Sequence, residues 1–302
     1  MPTQLPTAIL GRTGIEVTRL GFGTALWSPS RTHWTEEHAA HLFDEVLDQG
    51  INFIDTAYDY AFAEDWIGRS LKDRYGEFRL ATKCGCTDTR PEANSSDHVW
   101  TRDNLLKNID VSLERLARDS VDITQPHNPT VEETESGGLV DALKEIKESG
   151  KIKHIGISTT LPHLPTHLDW GVFDTMQIPY SALERQHEDW ITKAAEAGVG
   201  IIIRGGVAQG EDATSPSRGD KWTKFEQAGL EELLEDGESR SAWVLRYTLT
   251  HPHAHTIIVG TTRIKHLHEN IEAVLRGPLT DDVYAEAKRR LDAIGESPAP
   301  VI

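Results

Sequence analysis

Eight short apolar runs recur along the chain, and they alternate with segments of helical periodicity. The runs cover residues 18–22, 51–54, 78–82, 121–125, 154–157, 173–178, 199–203 and 256–259. An alternation of strand and helix favours a parallel sheet, and eight such units within 302 residues fit a (β/α)8 TIM barrel. We therefore predict an α/β fold in which residues 1–302 form one barrel domain.

Two features near the ends of the chain extend this prediction. Residues 8–17 place the turn sequence Gly11-Arg12-Thr13-Gly14 between short apolar pieces, which indicates an N-terminal β-hairpin. Residues 281–294 predict an extra C-terminal helix. A doubly wound sheet is the alternative, but it usually carries Gly-x-Gly-x-x-Gly after its first strand. Here Gly21-Phe22-Gly23 is followed by Thr24-Ala25-Leu26, so that fingerprint is absent.

The net charge excludes several classes of partner. At −17 the chain repels phosphate, and no basic patch stands out to offset that repulsion. We therefore expect neither nucleic acid nor an anionic membrane as a partner. No apolar run approaches the roughly 20 residues that span a bilayer. Residues 1–6 lack the basic head and apolar core of a signal peptide.

The two cysteines, Cys84 and Cys86, are too close in sequence for an ordinary structural disulfide. A Cys-x-Cys pair can indicate metal or redox chemistry, but the chain has no second thiol pair. We expect free thiols and a reducing, cytoplasmic location.

Polar side chains stand where the predicted strands end. They are Asp55, Tyr60, Lys83, His127, Ser158, Gln177, Arg204 and Arg263. All eight strands of a barrel open on one face, so these side chains are expected to meet there. Asp55 alone is also consistent with a helix cap or a turn, but the other polar strand ends favour a catalytic site.

Four of these side chains have functional groups that can act together in one reaction. They are Asp55, Tyr60, Lys83 and His127. A phenol has an ordinary pKa of about 10, and a nearby ammonium lowers that pKa by stabilising the phenolate. A carboxylate beside the lysine keeps the lysine charged, and a histidine beside the phenol can hold a substrate oxygen. This combination suits proton transfer to a carbonyl oxygen while a hydride arrives at carbon.

The sequence resembles the aldo-keto reductases over nearly its whole length. The resemblance rests on eight short pieces in the family's order. They are Gly11-Arg12-Thr13-Gly14 with Gly21-Phe22-Gly23-Thr24; Asp55-Thr56-Ala57 with Tyr60, Glu64 and Gly68; Lys83; residues 122–127; Gly150-Lys151-Ile152; Gly156-Ile157-Ser158; Gln177 with Tyr180; and Gly260-Thr261-Thr262-Arg263 with Glu269-Asn270. Each piece is weak alone, and their common order makes the signal strong.

The resemblance implies NAD(P)H-dependent reduction of aldehydes or ketones without a metal. It implies Tyr60 as general acid, Lys83 and Asp55 as its tuning pair, and His127 as the residue that orients the substrate. The cofactor residues that it implies are Gly23, Thr24, Asp55, Ser158, Gln177, Arg204, Gly205, Gly206, Gly260, Thr261, Thr262, Arg263, His266, Glu269 and Asn270. The partner would be a small-molecule carbonyl or alcohol, and the oligomeric state is left open. A cofactor-binding sensor on the same fold, and a sugar or alcohol dehydrogenase working in the oxidative direction, are the alternatives.

We expect NADP(H) to be preferred, with NAD(H) as the alternative. The reason is Arg263, which directly follows the last strand and its loop at the start of a helix, where barrels commonly bind phosphate. A guanidinium there suits a 2′-phosphate. The alternative is that Thr261 and Thr262 cap the helix and Arg263 points to solvent.

Five positions depart from the family pattern, including His266, which stands where arginine or glutamine often lies. Ala61 stands where a glycine usually follows the tyrosine, and alanine would be strained at positive φ. Pro126 cannot donate to a strand ladder, so we expect His127 to lie beyond the last ladder bond. Thr159 stands where asparagine is common. Arg204 stands where many members carry an aromatic ring that stacks on nicotinamide, although a guanidinium can also stack.

Three aromatic residues lie in loops near the predicted strand ends. Trp27, Tyr58 and Trp100 are candidates for the substrate pocket, with local packing as an equal alternative for each.

Overall fold

The computed structural model describes residues 4–25, 35–87, 97–208, 210 and 216–301. Its first element is a two-stranded antiparallel hairpin, β1 (Thr7–Ile9) and β2 (Glu16–Thr18), joined through a 3-10 turn at Gly11–Thr13. Arg12 donates its backbone N–H to the carbonyl of Gly198 at 2.7 Å. The hairpin is therefore fixed against the end of the barrel at which the strands begin.

Eight parallel strands close into a barrel, as the sequence predicted. They are β3 (Leu20–Gly23), β4 (Phe53–Asp55), β5 (Arg79–Cys84), β6 (Val121–Pro126), β7 (Ile152–Ser158), β8 (Thr175–Pro179), β9 (Gly200–Arg204) and β10 (Thr256–Val259). Each strand pairs with the next, and β10 pairs with β3 to close the ring. The carboxyl ends of all eight strands consequently open on one face of the barrel.

Helices surround the barrel in the described part of the chain. They are α1 (Glu36–Asp48), α2 (Ala63–Ser70), α3 (Arg102–Leu116), α4 (Val131–Ser136), α5 (Leu139–Glu148), α6 (Leu164–Asp169), α7 (Glu188–Glu196), α8 (Pro216–Gln227), α9 (Arg240–Thr250), α10 (Ile264–Arg276) and α11 (Asp281–Ala293). Within the described ranges, none of these helices has the length and apolar character needed to cross a membrane.

Local sequence explains where several helices begin. The hydroxyl of Thr35 accepts the backbone N–H of His38 at the start of α1. At the start of α4, the hydroxyl of Thr130 accepts from the backbone of Glu133, whose carboxylate accepts from the backbone of Thr130. This reciprocal capping box satisfies two backbone donors that the helix itself leaves free.

Two apolar layers hold the fold. An inner cluster fills the barrel beside the hairpin and contains Leu10, Val17, Phe53, Ala81, Ile123 and Ile202. A larger cluster lies between the strands and the surrounding helices. In this outer layer α2 approaches α3 so closely that a Cβ on Gly68 would lie 2.1 Å from the carbonyl oxygen of Arg115. Only glycine fits that crossing.

Candidate active site

The centre of the open face is an ion pair between two neighbouring strands. Asp55 is the last residue of β4, and Lys83 lies near the end of β5. Lys83 Nζ donates to Asp55 Oδ2 at 2.5 Å and to the carbonyl of Thr56 at 2.9 Å. The two side chains are 1% and 2% exposed. Burial opposes the charge on Lys83, but Asp55 and Tyr60 hold the pKa of its ammonium above the ordinary value.

The second oxygen of the Asp55 carboxylate is held by amides from two other strands. Gln177 Nε2 on β8 donates to Oδ1 at 2.8 Å, and Gln125 Nε2 on β6 contacts the same atom at 3.4 Å. A buried carboxylate is tolerated when its lone pairs are satisfied in this way. Gln177, which was predicted to bind the cofactor, thus lies beside Asp55, whereas Gln125 was not singled out from the sequence.

Tyr60 follows Asp55 on the loop after β4. Lys83 Nζ lies 4.8 Å from the centre of the Tyr60 ring. Burial raises the pKa of the phenol above its ordinary value, and the nearby Lys83 charge only partly opposes that rise. The lysine alone would lower the pKa of Tyr60, as expected from the sequence, but burial outweighs it and that expectation is wrong.

The residue after Tyr60 has the backbone conformation that made alanine questionable from the sequence. Ala61 has a φ of +48° and is buried. An L-residue with a Cβ is strained in this region. The loop that carries Tyr60 therefore contains a strained residue.

His127 is brought beside Tyr60 from β6. The two rings meet edge to face, with centroids 5.9 Å apart. The backbone N–H of His127 donates to the carbonyl of Cys84 at 3.1 Å, and His127 also forms a parallel bridge with Ser158. The expectation that Pro126 would leave the histidine beyond the ladder is therefore wrong. Pro126 has no backbone N–H to donate, but the N–H of His127 continues the hydrogen bonding between the two strands.

Nδ1 of His127 faces two side chains that the sequence analysis did not place in the site. It lies 3.5 Å from Asp59 Oδ1 and 3.5 Å from Cys86 Sγ. Burial lowers the pKa of the imidazole, and the Asp59 carboxylate opposes part of that shift. Asp59 could have been noticed because it directly precedes Tyr60, but an acid in a loop has no distinctive pattern.

A second polar group lies at the ends of β7 and β9. The Ser158 hydroxyl donates to Asn128 Oδ1 at 2.9 Å, and Arg204 Nη2 contacts the same oxygen at 3.4 Å. Arg204 Nε is buried and has no hydrogen-bond partner among the described residues. Asn128, at a φ of +66°, was missed by the sequence analysis. These residues offer donors toward the open face.

Two glycines follow Arg204 for different reasons. Gly205 adopts a φ of +73°, which favours glycine, and a Cβ on Gly206 would lie 2.3 Å from a methyl group of Ile257. Gly23 ends β3 close to Gly260, and a Cβ there would make only ordinary contacts.

The start of α10 offers unused backbone donors. Arg263 is the N-cap residue, and its carbonyl accepts from the N–H of Leu267 and from the Thr261 hydroxyl. Arg263 donates its own N–H to the Thr261 hydroxyl at 3.0 Å, and no side chain caps the helix. The Arg263 side chain is exposed and forms no ion pair with another described residue. A helix start of this kind binds anions.

Four further predicted cofactor positions lie around this helix start or within its first turns. Three of them, Thr262, His266 and Asn270, are half-buried. Glu269 is exposed and forms an ion pair with Lys265 at 3.6 Å.

Two hydroxyls near the site serve internal contacts. The Thr24 hydroxyl and N–H both donate to the carbonyl of Asp55, at 3.1 and 3.0 Å. The Thr159 hydroxyl contacts Nδ1 of His167 at 2.8 Å. Thr24 therefore positions Asp55, and Thr159 is joined to a buried histidine beneath the face.

The three aromatic candidates have different surroundings. Tyr58 is buried, and the guanidinium of Arg115 lies 4.3 Å from the centre of its ring. These surroundings favour local packing, which was the alternative to a pocket role for Tyr58. Trp100 is half-buried and stacks on His98 at 4.9 Å, and the His98 ring in turn meets the His127 ring at 5.4 Å. Trp27 lies outside the described residues.

Comparison with known proteins agrees with this fold. The aldo/keto reductase family model matches residues 19–292. The solved holo form of the aldo-keto reductase AKR11C1 from Bacillus halodurans superimposes with a TM-score of 0.83 at 26% identity, covering 99% of this chain and 98% of that one.

Characterised and uncharacterised relatives are similar in sequence. The uncharacterized oxidoreductase YqkF of Bacillus subtilis is 26% identical, covering 90% of this chain and 92% of YqkF. The NADH-specific methylglyoxal reductase of Escherichia coli is 29% identical, covering 65% of this chain and 64% of that protein. It follows that this chain belongs to the aldo/keto reductase family, whose members are oxidoreductases that use nicotinamide cofactors.

Proposed function

We propose that this protein reduces an aldehyde or ketone to an alcohol with NADPH, and that Tyr60 supplies the proton. The observation that carries the proposal is the buried Asp55–Lys83 ion pair beside the Tyr60 ring, with His127 edge-on to that ring. A charged lysine that is fixed by a carboxylate next to a phenol suits proton transfer better than packing, because burying two charges is costly.

The charge on Lys83 assists Tyr60 as a proton donor. Burial raises the pKa of the phenol, so Tyr60 is protonated near neutral pH but is a weaker acid than a free phenol. As the proton moves to the carbonyl oxygen, negative charge develops on the phenol oxygen, and the Lys83 ammonium stabilises that charge. A bound nicotinamide supplies the hydride for the carbonyl carbon.

His127 is proposed to position the substrate. Its Nδ1 faces Asp59 and Cys86, which leaves Nε2 as the nitrogen available to a substrate oxygen. Holding the carbonyl between the imidazole and the phenol places its oxygen within reach of the Tyr60 proton. Trp100, which stacks on His98 beside His127, is the aromatic candidate that we retain as a wall of the substrate pocket. The substrate of the protein would be a small-molecule carbonyl or alcohol.

The described residues fit a nicotinamide dinucleotide. Arg204 Nε at the end of β9 is buried without a hydrogen-bond partner in the described part of the chain, and the Ser158–Asn128 pair beside it offers further polar groups. The start of α10 provides backbone donors for phosphate. The residues around Arg204 and the start of α10 are thereby proposed to hold one cofactor.

NADPH is proposed as the preferred form because Arg263 offers an exposed guanidinium beside those donors. Family membership does not decide the preference, since one relative is NADH-specific. We also propose a cytoplasmic location, which rests on the two free cysteines.

A panel assay tests the proposed reaction. Purified protein is mixed with NADPH and a series of small aldehydes and ketones, and cofactor oxidation is followed. Turnover dependent on carbonyl and enzyme is expected. A protein that binds NADPH tightly but turns over none of the panel would support the sensor alternative. Faster turnover of NADP⁺ with alcohols or sugars than of NADPH with any carbonyl would support the oxidative alternative.

A further inference from the structure

Four metal-ligating side chains converge beside the proposed catalytic site. Oxygen, sulfur and nitrogen atoms of Asp59, Cys86, His98 and His127 all lie within 4.8 Å of one another. The four residues come from separate parts of the chain, so their convergence is a product of the fold.

Backbone pairing holds two of the four ligands together. Cys86 and His98 form an antiparallel bridge, which is flanked by a 2.8 Å hydrogen bond from Val99 to Gly85. Residues directly opposite each other in such a pair have Cβ atoms about 5 Å apart. The His98 ring is further oriented by stacking on Trp100 at an interplanar angle of 2°.

The other two ligands meet this pair from the catalytic side. Nδ1 of His127 lies 3.5 Å from Cys86 Sγ and 3.5 Å from Asp59 Oδ1. A tetrahedral zinc ion with bonds of about 2.0–2.3 Å separates its ligand atoms by about 3.3–3.8 Å. Both distances already fall in that range, so a bound ion requires only a small closure of the cluster.

The Asp59 carboxylate gives an independent reason to expect a cation. Its side chain is 5% exposed, and Oδ1 makes no regular hydrogen bond with any residue that the structure describes. A buried carboxylate oxygen without a donor is costly. A metal ion placed among the four side chains would satisfy it.

We propose that Asp59, Cys86, His98 and His127 form a binding site for a divalent transition metal of the zinc class. Zinc is commonly bound by thiolate, imidazole and carboxylate ligands such as these four. Calcium and magnesium prefer oxygen ligands and bind thiolates poorly. The ion is not a participant in carbonyl reduction. Its bond to Nδ1 of His127 would keep the imidazole proton on Nε2, the nitrogen proposed to face the substrate.

Cobalt(II) provides a direct probe because thiolate coordination gives an intense charge-transfer absorption. Full-length protein is stripped with a chelator and titrated with Co²⁺ under anaerobic conditions. We expect one ion per chain, a thiolate-to-cobalt band and the visible bands of tetrahedral cobalt, all abolished by one equivalent of Zn²⁺. The measurement requires no turnover, so it stands apart from the proposed reaction.

Variants assign the signal to the cluster. Cys86→Ser should remove the thiolate band, and His98→Ala should weaken Co²⁺ binding at least tenfold. Cys84→Ser is the matched control, because Cys84 is the other buried thiol and packs in the outer apolar layer. It should keep the band. Circular dichroism checks that each variant is folded, and His98→Ala keeps the test usable if the serine variant fails to fold.

Two results would overturn the proposal. One is a wild type without a thiolate band at excess Co²⁺. The other is a band that survives in the folded Cys86→Ser variant or that disappears in Cys84→Ser.

Discussion

Lys83 and Asp55, 28 residues apart in the chain, form a 2.5 Å ion pair that is almost fully buried between adjacent strands. The remaining carboxylate oxygen accepts from Gln177 at 2.8 Å. A pair with these additional bonds is held in one geometry, and it positions an ammonium beside the Tyr60 ring. The first two predictions below depend on this arrangement.

Tyr60→Phe should lower the rate of carbonyl reduction by about 10²–10⁴-fold, because it removes a positioned general acid. NADPH affinity should be nearly unchanged. Steady-state and single-turnover kinetics measure the first effect, and fluorescence titration measures the second. Tyr75→Phe is the control, since its hydroxyl bonds to the Leu116 carbonyl away from the strand ends. More than half of wild-type turnover with rate-limiting chemistry in Tyr60→Phe would exclude the role.

Lys83→Met should lower the rate, shift its pH profile and lower the free energy of unfolding by about 3–5 kcal/mol, because Asp55 is left buried and unpaired. The pKa of Lys83 is raised in the folded state, so the pair stabilises below the unfolded value of 10.5 and the contribution is lost as pH rises through the higher folded value. Urea unfolding at neutral and strongly alkaline pH tests this.

The double variant Asp55→Asn with Lys83→Met is the control for that stability effect. Removing both charges should recover part of the loss, since no unpaired buried charge remains. An unchanged stability and pH profile in Lys83→Met would contradict the assigned pairing.

Arg263→Ala should weaken NADPH binding by about tenfold, or about 1.4 kcal/mol, and leave NADH binding unchanged. The guanidinium is proposed to contact the 2′-phosphate, which NADH lacks. Isothermal titration with both cofactors measures this. Lys265→Ala is a matched control, because Lys265 is a nearby exposed cation that already pairs with Glu269. Equal losses of affinity for NADH and NADPH would show that Arg263 does not contact the 2′-phosphate.

His167 should make the protein less stable in mild acid. Burial lowers its pKa from 6.5 to about 4. Below pH 6.5 His167 binds a proton in the unfolded chain but not in the folded chain. The contribution of His167 to the free energy of unfolding therefore falls by about 1.4 kcal/mol per pH unit until about pH 4. His167→Gln should reduce this slope by about one proton, and the exposed His41→Gln should not. Urea unfolding across this pH range decides; an identical slope in His167→Gln would refute it.

Gly68→Ala should destabilise the protein by about 2 kcal/mol or more, because a Cβ would lie 2.1 Å from the carbonyl oxygen of Arg115 on α3. Backbone atoms cannot move aside as a flexible side chain can. Thermal and urea unfolding measure the effect. Gly76→Ala is the control, since a Cβ there meets nothing within 4 Å. Similar unfolding curves for both variants would mean that the helices separate at little cost.

The barrel and the main site residues followed from local patterns. Apolar runs of strand length that alternate with helical periodicity determine a ring of parallel strands, and such a ring brings its strand ends together. Asp55, Lys83 and His127 could therefore be placed on one face before any distance was known. The capping box at Thr130 was equally readable, because its bonds span only three residues.

Tertiary structure decided what depends on burial and on the paths of loops. Burial outweighs the lysine in setting the pKa of Tyr60, and no sequence pattern reports how deeply a phenol is covered. The ladder resumes at His127 because the Cys84 carbonyl lies opposite it. Asp59 and His98 meet Cys86 because the ends of separate loops converge there. Side chains that are brought together by loops share no period or spacing, so only the folded chain reveals that cluster.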